Sequence, residues 1–233
     1  MLIWYVTLNL KFKSRFIYTL GFFSSLLVAF GLGAMTASAD QTPYRLAALG
    51  DSLTAGYGLA GSDSFPVQLE ILLKNKGYNV TVQNAGVSGD TTAGGLARLD
   101  WSLDDNVDGV IIELGANDAM RAIPPASTRA SLEKIIKRLK QRKVDVLLTG
   151  MLAPPNLGPE FGNSYNAIFP DLASKYNLVF YPFFLKDVAA IASLNQPDGI
   201  HPTAAGVKII ARNILPKVEE LLRNSDRFRQ KNR

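Results

Sequence analysis

Residues 107–118 read Val-Asp-Gly-Val-Ile-Ile-Glu-Leu-Gly-Ala-Asn-Asp, an apolar run up to Leu114 followed by a loop of glycine and small polar residues. A run this short and this rich in branched aliphatics predicts a strand covered on both faces, over Val107–Leu114. The unit recurs on either side. Strands are predicted over Arg45–Leu49, Val80–Gln83, Val144–Thr149 and Leu178–Tyr181. Amphipathic helices are predicted over Phe65–Lys76, Thr91–Leu103, Ser127–Arg142, Ser164–Tyr176 and Thr203–Leu222. Buried strands alternating with helices make an α/β fold, a doubly wound five-stranded parallel sheet with helices on both faces. No repeat or low-complexity linker interrupts it, so residues 40–222 read as one domain. Sheets of this kind bind ligands beyond the carboxyl ends of their strands, in the loops that follow.

Four such segments are rich in glycine and small polar residues. They are Gly50-Asp51-Ser52-Leu53-Thr54, Asn84-Ala85-Gly86-Val87-Ser88-Gly89-Asp90, Gly115-Ala116-Asn117-Asp118 and, just before the last helix, Asp198-Gly199-Ile200-His201-Pro202. Each has an ordinary structural use. Ser52 suits a turn or a helix N-cap, Asn117 and Asp118 shape turns, and Asp198-Gly199 is a turn pair. Together they meet the needs of acyl transfer. A serine hydroxyl is a weak nucleophile that needs a base, and the base needs a partner to fix its tautomer. Asp198 and His201, three residues apart across a turn, allow the carboxylate to accept from imidazole Nδ1 and leave Nε2 for Ser52. The tetrahedral oxyanion needs fixed donors, and the N–H groups of Ser52 and Gly89 with the Asn117 amide supply three. Glycine suits its position because backbone must approach the substrate with no Cβ in the way.

At these residues the chain resembles the SGNH hydrolases of the GDSL family. GDSLTAGYG, AGVSGDTT, GANDAMR and DGIHP match that family's blocks in order and spacing, over about residues 44 to 222. It is most similar to the periplasmic thioesterase I, lysophospholipase and arylesterase branch, through APPNLGPEFGNSYN at Ala153–Asn166 as well. The resemblance implies a flavodoxin-like sheet, Ser52 as nucleophile, Gly89 and Asn117 in the oxyanion hole, and Asp198 and His201 completing the triad. The substrate would be a small or lipid-like ester or thioester. Met151, Leu152, Pro154, Pro155, Leu157 and Phe161, in the loop after the fourth strand, offer an apolar wall for an acyl or aryl group or ordinary packing over the sheet edge. Asp51, Leu53, Leu152, Pro154 and Leu157 are the expected substrate contacts. The alternatives are a carbohydrate acetyl esterase of the same fold and a non-catalytic binding module.

Composition narrows the field from the other side. The 233 residues include no Cys and a single His, His201, which excludes a disulfide framework, a thiol nucleophile, cysteine-ligated metal and multi-histidine sites. No metal or cofactor is expected, and the chain reads as a monomer. Gly56-Tyr57-Gly58-Leu59-Ala60-Gly61 satisfies the dinucleotide pattern GxGxxG but does not directly follow a strand or open a helix. The acidic residue about 20 positions further on is missing too, because that strand ends in Gln83-Asn84.

The ends explain the charge. Residues 1–39 carry Lys11, Lys13 and Arg15, an uncharged run from Phe16 to Ala34, then Ala37-Ser38-Ala39, a secretory signal with cleavage expected after Ala39. The other reading is an uncleaved membrane anchor, since about 20 apolar residues span a bilayer. The expected location is therefore periplasmic or secreted. Apolar residues 1–10 precede the basic ones, which suits a true start further in. Those 39 residues hold three of the 25 basic side chains and none of the 20 acidic ones, and Arg223–Arg233 holds five basic and one acidic. The net charge of +5 thus resides at the ends, and no basic patch points to nucleic acid. The basic end reads as a solvated, frayed tail with weak attraction to an anionic membrane surface.

Overall fold

The computed structural model describes residues 42–232, so the expected signal segment lies outside the described residues. Among them, β1 (Tyr44–Gly50), β2 (Val80–Gly86), β3 (Gly109–Glu113), β4 (Asp145–Thr149) and β5 (Val179–Tyr181) form one parallel sheet in the order β2-β1-β3-β4-β5. The helices, in chain order, are α1 (Ser52–Ala55), α2 (Phe65–Asn75), α3 (Thr92–Ser102), α4 (Ala116–Met120), α5 (Pro125–Gln141), α6 (Pro159–Asn166), α7 (Ile168–Tyr176), α8 (Ala204–Asn224) and α9 (Asp226–Lys231). α2 packs on α8, while α3 packs on α5 and α5 on α7. With helices on both sides, every residue of β3 is buried. α8 shows how the pattern works: Val207, Ile210, Ala211, Ile214, Val218, Leu221 and Leu222 recur at three- and four-residue spacing and all are buried. Each fully buried Leu or Ile of that stripe contributes about 1.5–3 kcal/mol of transfer free energy.

The order in which strands are added reverses at β1, which is flanked by β2 and β3, and the register aligns Gly50 with both Gly86 and Glu113 at the carboxyl edge. Loops leaving that row start side by side, which is why such a switch point forms a crevice. Gly50 is required there. A Cβ at this position would lie 2.0 Å from Thr54 Oγ1 and 2.6 Å from a Glu113 oxygen.

Two expectations fail. The helix expected over Ser164–Tyr176 is two helices, α6 and α7, that meet at Ala167. Pro170 has no N–H to donate to the Asn166 carbonyl, so it is accommodated in the first turn of a new helix. The basic end does not fray. Ser225 caps α9 by accepting the Phe228 N–H and is itself 2.5 Å from Asp145 Oδ2. Phe228 packs edge-on to Tyr44, Arg227 donates to the Val107 and Arg142 carbonyls, and Lys231 lies 2.5 Å from Asp108. Charge counting saw the five cations and missed the acids and carbonyls waiting at the amino edge of the sheet.

Candidate active site

Ser52 opens α1, a single turn at the end of β1. Its cap is Asp51, whose Oδ1 accepts the Leu53 N–H at 3.0 Å, so Ser52 is the first helical residue and not the cap. Gly56 ends the turn in the left-handed region at φ 84°, with its N–H on the Ser52 carbonyl. The short helix leaves the Ser52 side chain half-buried at the carboxyl edge.

The Asp198 and His201 side chains reach it from the far end of the chain. His201 Nε2 lies 2.9 Å from Ser52 Oγ, and Nδ1 lies 2.6 Å from Asp198 Oδ2. The other Asp198 oxygen, Oδ1, accepts the N–H groups of Ile200 and His201 at 2.9 and 3.0 Å. The turn role and the pairing role therefore fall to opposite oxygens of one carboxylate. The His201 backbone N–H, then its ring, hold the Asp198 carboxyl down at about 2, so it stays ionised. The loop is stiffened from behind. Gln196 N–H donates to the His201 carbonyl at 2.7 Å, and Gln196 Nε2 donates to the Tyr57 and Pro202 carbonyls at 2.8 and 3.0 Å. The Tyr57 ring lies 4.5 Å from the imidazole, centre to centre.

Gly89 is the third residue of a turn closed by the Asp90 N–H on the Val87 carbonyl, and its φ of 85° is what a type II turn requires there. Val87 N–H donates to the Gly50 carbonyl at 3.0 Å, which ties this turn to the end of β1. Arg98, 5% exposed, makes a second tie: Nη2 donates to the Gly50 carbonyl and Nε lies 2.5 Å from Asp90 Oδ2. Arg121 donates to the Gly89 carbonyl. Asn117, on α4, donates from Nδ2 to Asp51 Oδ2 at 3.0 Å. Asp118 accepts from Thr92 N, Thr92 Oγ1 and Thr128 Oγ1, joining α4 to α3 and α5.

Beneath Ser52 lie two further buried acids. Glu113, at the end of β3, is fully buried and accepts the Thr54 hydroxyl at 2.8 Å. Burial pushes its carboxyl well above its ordinary value, and the neighbouring Asp51 adds to this. Asp51 is also raised by burial, to about 6, while the Leu53 N–H and the Asn117 amide restrain the rise.

Ser52 and Leu53 help line a mainly apolar cavity of about 150 Å³. Of the six residues read as an apolar wall, Met151, Leu152 and Pro154 line it, joined by Met120, Leu185, Ala189, Ala190 and Ile200. Leu157, Pro155 and Phe161 do not. Leu157 belongs to the turn Pro155–Leu157, and the half-buried Phe161 stacks on the buried Tyr165, 5.8 Å between rings. Asp51 borders the cavity, but its carboxylate is spent on Leu53 and Asn117. The GxGxxG segment opens no helix: Gly56 terminates α1, and a three-residue turn, Gly61–Asp63, follows. Arg98, Glu113, Gln196 and the Leu185–Ala190 wall escaped the sequence reading. For Gln196 the only signal was its place in the turn before Asp198.

A 2-1-3-4-5 sheet with a serine, an imidazole and a carboxylate in one hydrogen-bonded line at its switch point defines an α/β protein built as serine hydrolases are. The chain belongs to the GDSL-like Lipase/Acylhydrolase family, which matches residues 48–209. It is 40% identical over 179 residues to an arylesterase of Vibrio mimicus, covering 76% of this chain and 88% of that one. Esterase TesA of Pseudomonas aeruginosa is 34% identical over 199 residues, covering 85% of this chain and 99% of the relative. Among solved structures, the SGNH-hydrolase family esterase AlinE4 superposes with a TM-score of 0.65 at 44% identity, over 76% of this chain and 96% of that one.

Proposed function

We propose that this chain hydrolyses carboxylic esters and thioesters through an acyl-enzyme on Ser52. The observation that carries the reading is the unbroken line from Asp198 through His201 to Ser52, 2.6 and 2.9 Å, ending in the lining of a mainly apolar cavity. His201 takes the hydroxyl proton through Nε2 as Ser52 Oγ attacks the carbonyl carbon, and Asp198 holds the resulting imidazolium through Nδ1. The oxyanion would be met by the Ser52 and Gly89 N–H groups and the Asn117 amide. His201 then protonates the departing alcohol or thiol, and water repeats the cycle on the acyl-enzyme. The relatives named esterase and arylesterase support an ester of a small molecule as substrate.

The cavity supports a short-to-medium acyl or aryl group, because an apolar cavity of this size accepts a molecule as large as benzene. The leader of residues 1–39 supports export, and no helix among the described residues is long and apolar enough to cross a membrane. A panel of p-nitrophenyl esters of increasing chain length, with an acyl thioester and a lysophospholipid alongside, tests the reading. Turnover should rise about fourfold per methylene, from about 0.8 kcal/mol each, until the cavity is full. Acetyl preferred over every longer chain would favour an acetyl esterase instead. A fluorophosphonate should label Ser52 covalently, and an unlabelled, inactive protein would leave only a binding module.

A further inference from the structure

An asparagine amide has one oxygen and one NH₂ in nearly the same outline, so its partners alone decide which points where. The partner of Asn117 is Asp51 Oδ2, 3.0 Å from Nδ2. A carboxylate only accepts, so the amide nitrogen must face Asp51, and its second hydrogen is left to point elsewhere. The other Asp51 oxygen is engaged at 3.0 Å with the Leu53 N–H, the bond that starts α1 immediately at Ser52. One carboxylate, 1% exposed, thus sets both the nucleophile's helix and the orientation of the amide. Among the described residues no lysine or arginine pairs with it. A buried carboxylate without a cation is an expensive way to cap a helix, and a serine or asparagine would cap as well. What neither can do is accept from two donors while offering no hydrogen of its own.

We propose that Asp51 is a positioning residue: it keeps the Asn117 amide nitrogen toward the oxyanion, so that without an acceptor-only partner the amide turns its oxygen to the developing negative charge. The proposal rests on the acyl-transfer reading with Asn117 as a donor. In Asp51→Asn the introduced oxygen must stay on the Leu53 N–H, so the introduced NH₂ faces Asn117 and forces that turn.

The test compares Asp51→Asn, Asn117→Ala and the double variant on p-nitrophenyl butyrate, with Ser52→Ala as control. Each single variant should lose about 10²–10³ in kcat, the effect of one oxyanion donor, at nearly unchanged KM. The double variant should be no slower than Asn117→Ala alone, because both changes remove the same interaction. A merely structural Asp51 would give losses that multiply. Multiplying losses, or Asp51→Asn with nearly wild-type kcat while Asn117→Ala is impaired, overturns the proposal and leaves acyl transfer standing. An active Ser52→Ala instead overturns the acyl-transfer reading itself. Should Asp51→Asn fail to fold by circular dichroism, Asp51→Ser enters the same cycle. It keeps a capping oxygen and leaves Asn117 undirected, and nearly wild-type kcat in it is equally fatal to the proposal.

Discussion

Replacing Asp198 by asparagine should do more harm than removing the side chain. In the native loop Oδ1 accepts two backbone N–H groups, from Ile200 and His201, while Oδ2 faces imidazole Nδ1 at 2.6 Å. An asparagine has one oxygen, and two N–H donors compete for it against one ring nitrogen that can switch tautomer. The oxygen therefore stays on the backbone and the NH₂ is presented to Nδ1. An imidazole that accepts at Nδ1 carries its proton on Nε2 and can no longer take one from Ser52. Locking the wrong tautomer costs about 10⁴ in kcat, or about 5 kcal/mol of transition-state stabilisation. Asp198→Ala loses the carboxylate but leaves the ring free to adopt the useful tautomer, so it should retain more activity than Asp198→Asn. The assay is kcat on p-nitrophenyl butyrate for both variants, with circular dichroism to confirm the fold. Asp198→Asn within tenfold of wild type, or faster than Asp198→Ala, would show that the carboxylate does not set the tautomer.

The buried acids predict a pH signature in stability. Because the folded-state carboxyl of Asp51 is raised to about 6 from its ordinary value, the native protein binds more protons than the unfolded chain between about pH 4 and 6. This contribution is therefore fully present at low pH and lost as pH rises through that window, so Asp51→Asn should gain on wild type by up to about 3 kcal/mol between pH 4 and 7. Urea denaturation at the two pH values measures it, and a difference that does not change with pH is the refuting result. Deleting residues 226–233 removes Phe228 from Tyr44 and both cations from the buried Asp108. It should cost about 2–5 kcal/mol of stability and leave kcat unchanged, since those contacts lie at the edge opposite Ser52. Arg98→Lys should lower kcat about tenfold or more, because one ammonium cannot span the Gly50 carbonyl and Asp90 as the guanidinium fork does. Unaltered kcat in that variant would separate the brace from catalysis.

The fold was legible because its strands are buried on both faces, and unbroken runs such as Val110-Ile111-Ile112 leave little room for another reading. Five residues of the candidate site were legible for a different reason: their loops must be rich in glycine and small polar residues wherever backbone approaches a ligand. Their supports were hidden. Arg98 occupies a helix position between the buried Gly95 and Leu99, and a lone arginine in a helix normally reads as solvated. Only the fold shows that its side chain ends on Gly50 and Asp90. Glu113 closes an apolar strand, where an acid suggests the strand's exposed end and not its most buried point. The cavity wall at Leu185–Ala190 has no periodicity to detect, because it is irregular backbone with Asp187 and Ala190 at φ 62° and 63°.

The distribution of cations around the site follows from what each carboxylate must do. Asp90 has only to be held, so the Arg98 guanidinium neutralises it and gains a second bond to the Gly50 carbonyl. Asp51 has to hold something else. A guanidinium on its Oδ2 would displace the Asn117 amide, and a proton there would let the carboxyl donate and turn the amide round. Leaving Asp51 buried, with no lysine or arginine paired to it among the described residues, therefore sacrifices stability at the pH where it is ionised and, on the acyl-transfer reading, keeps the Asn117 amide nitrogen toward the oxyanion.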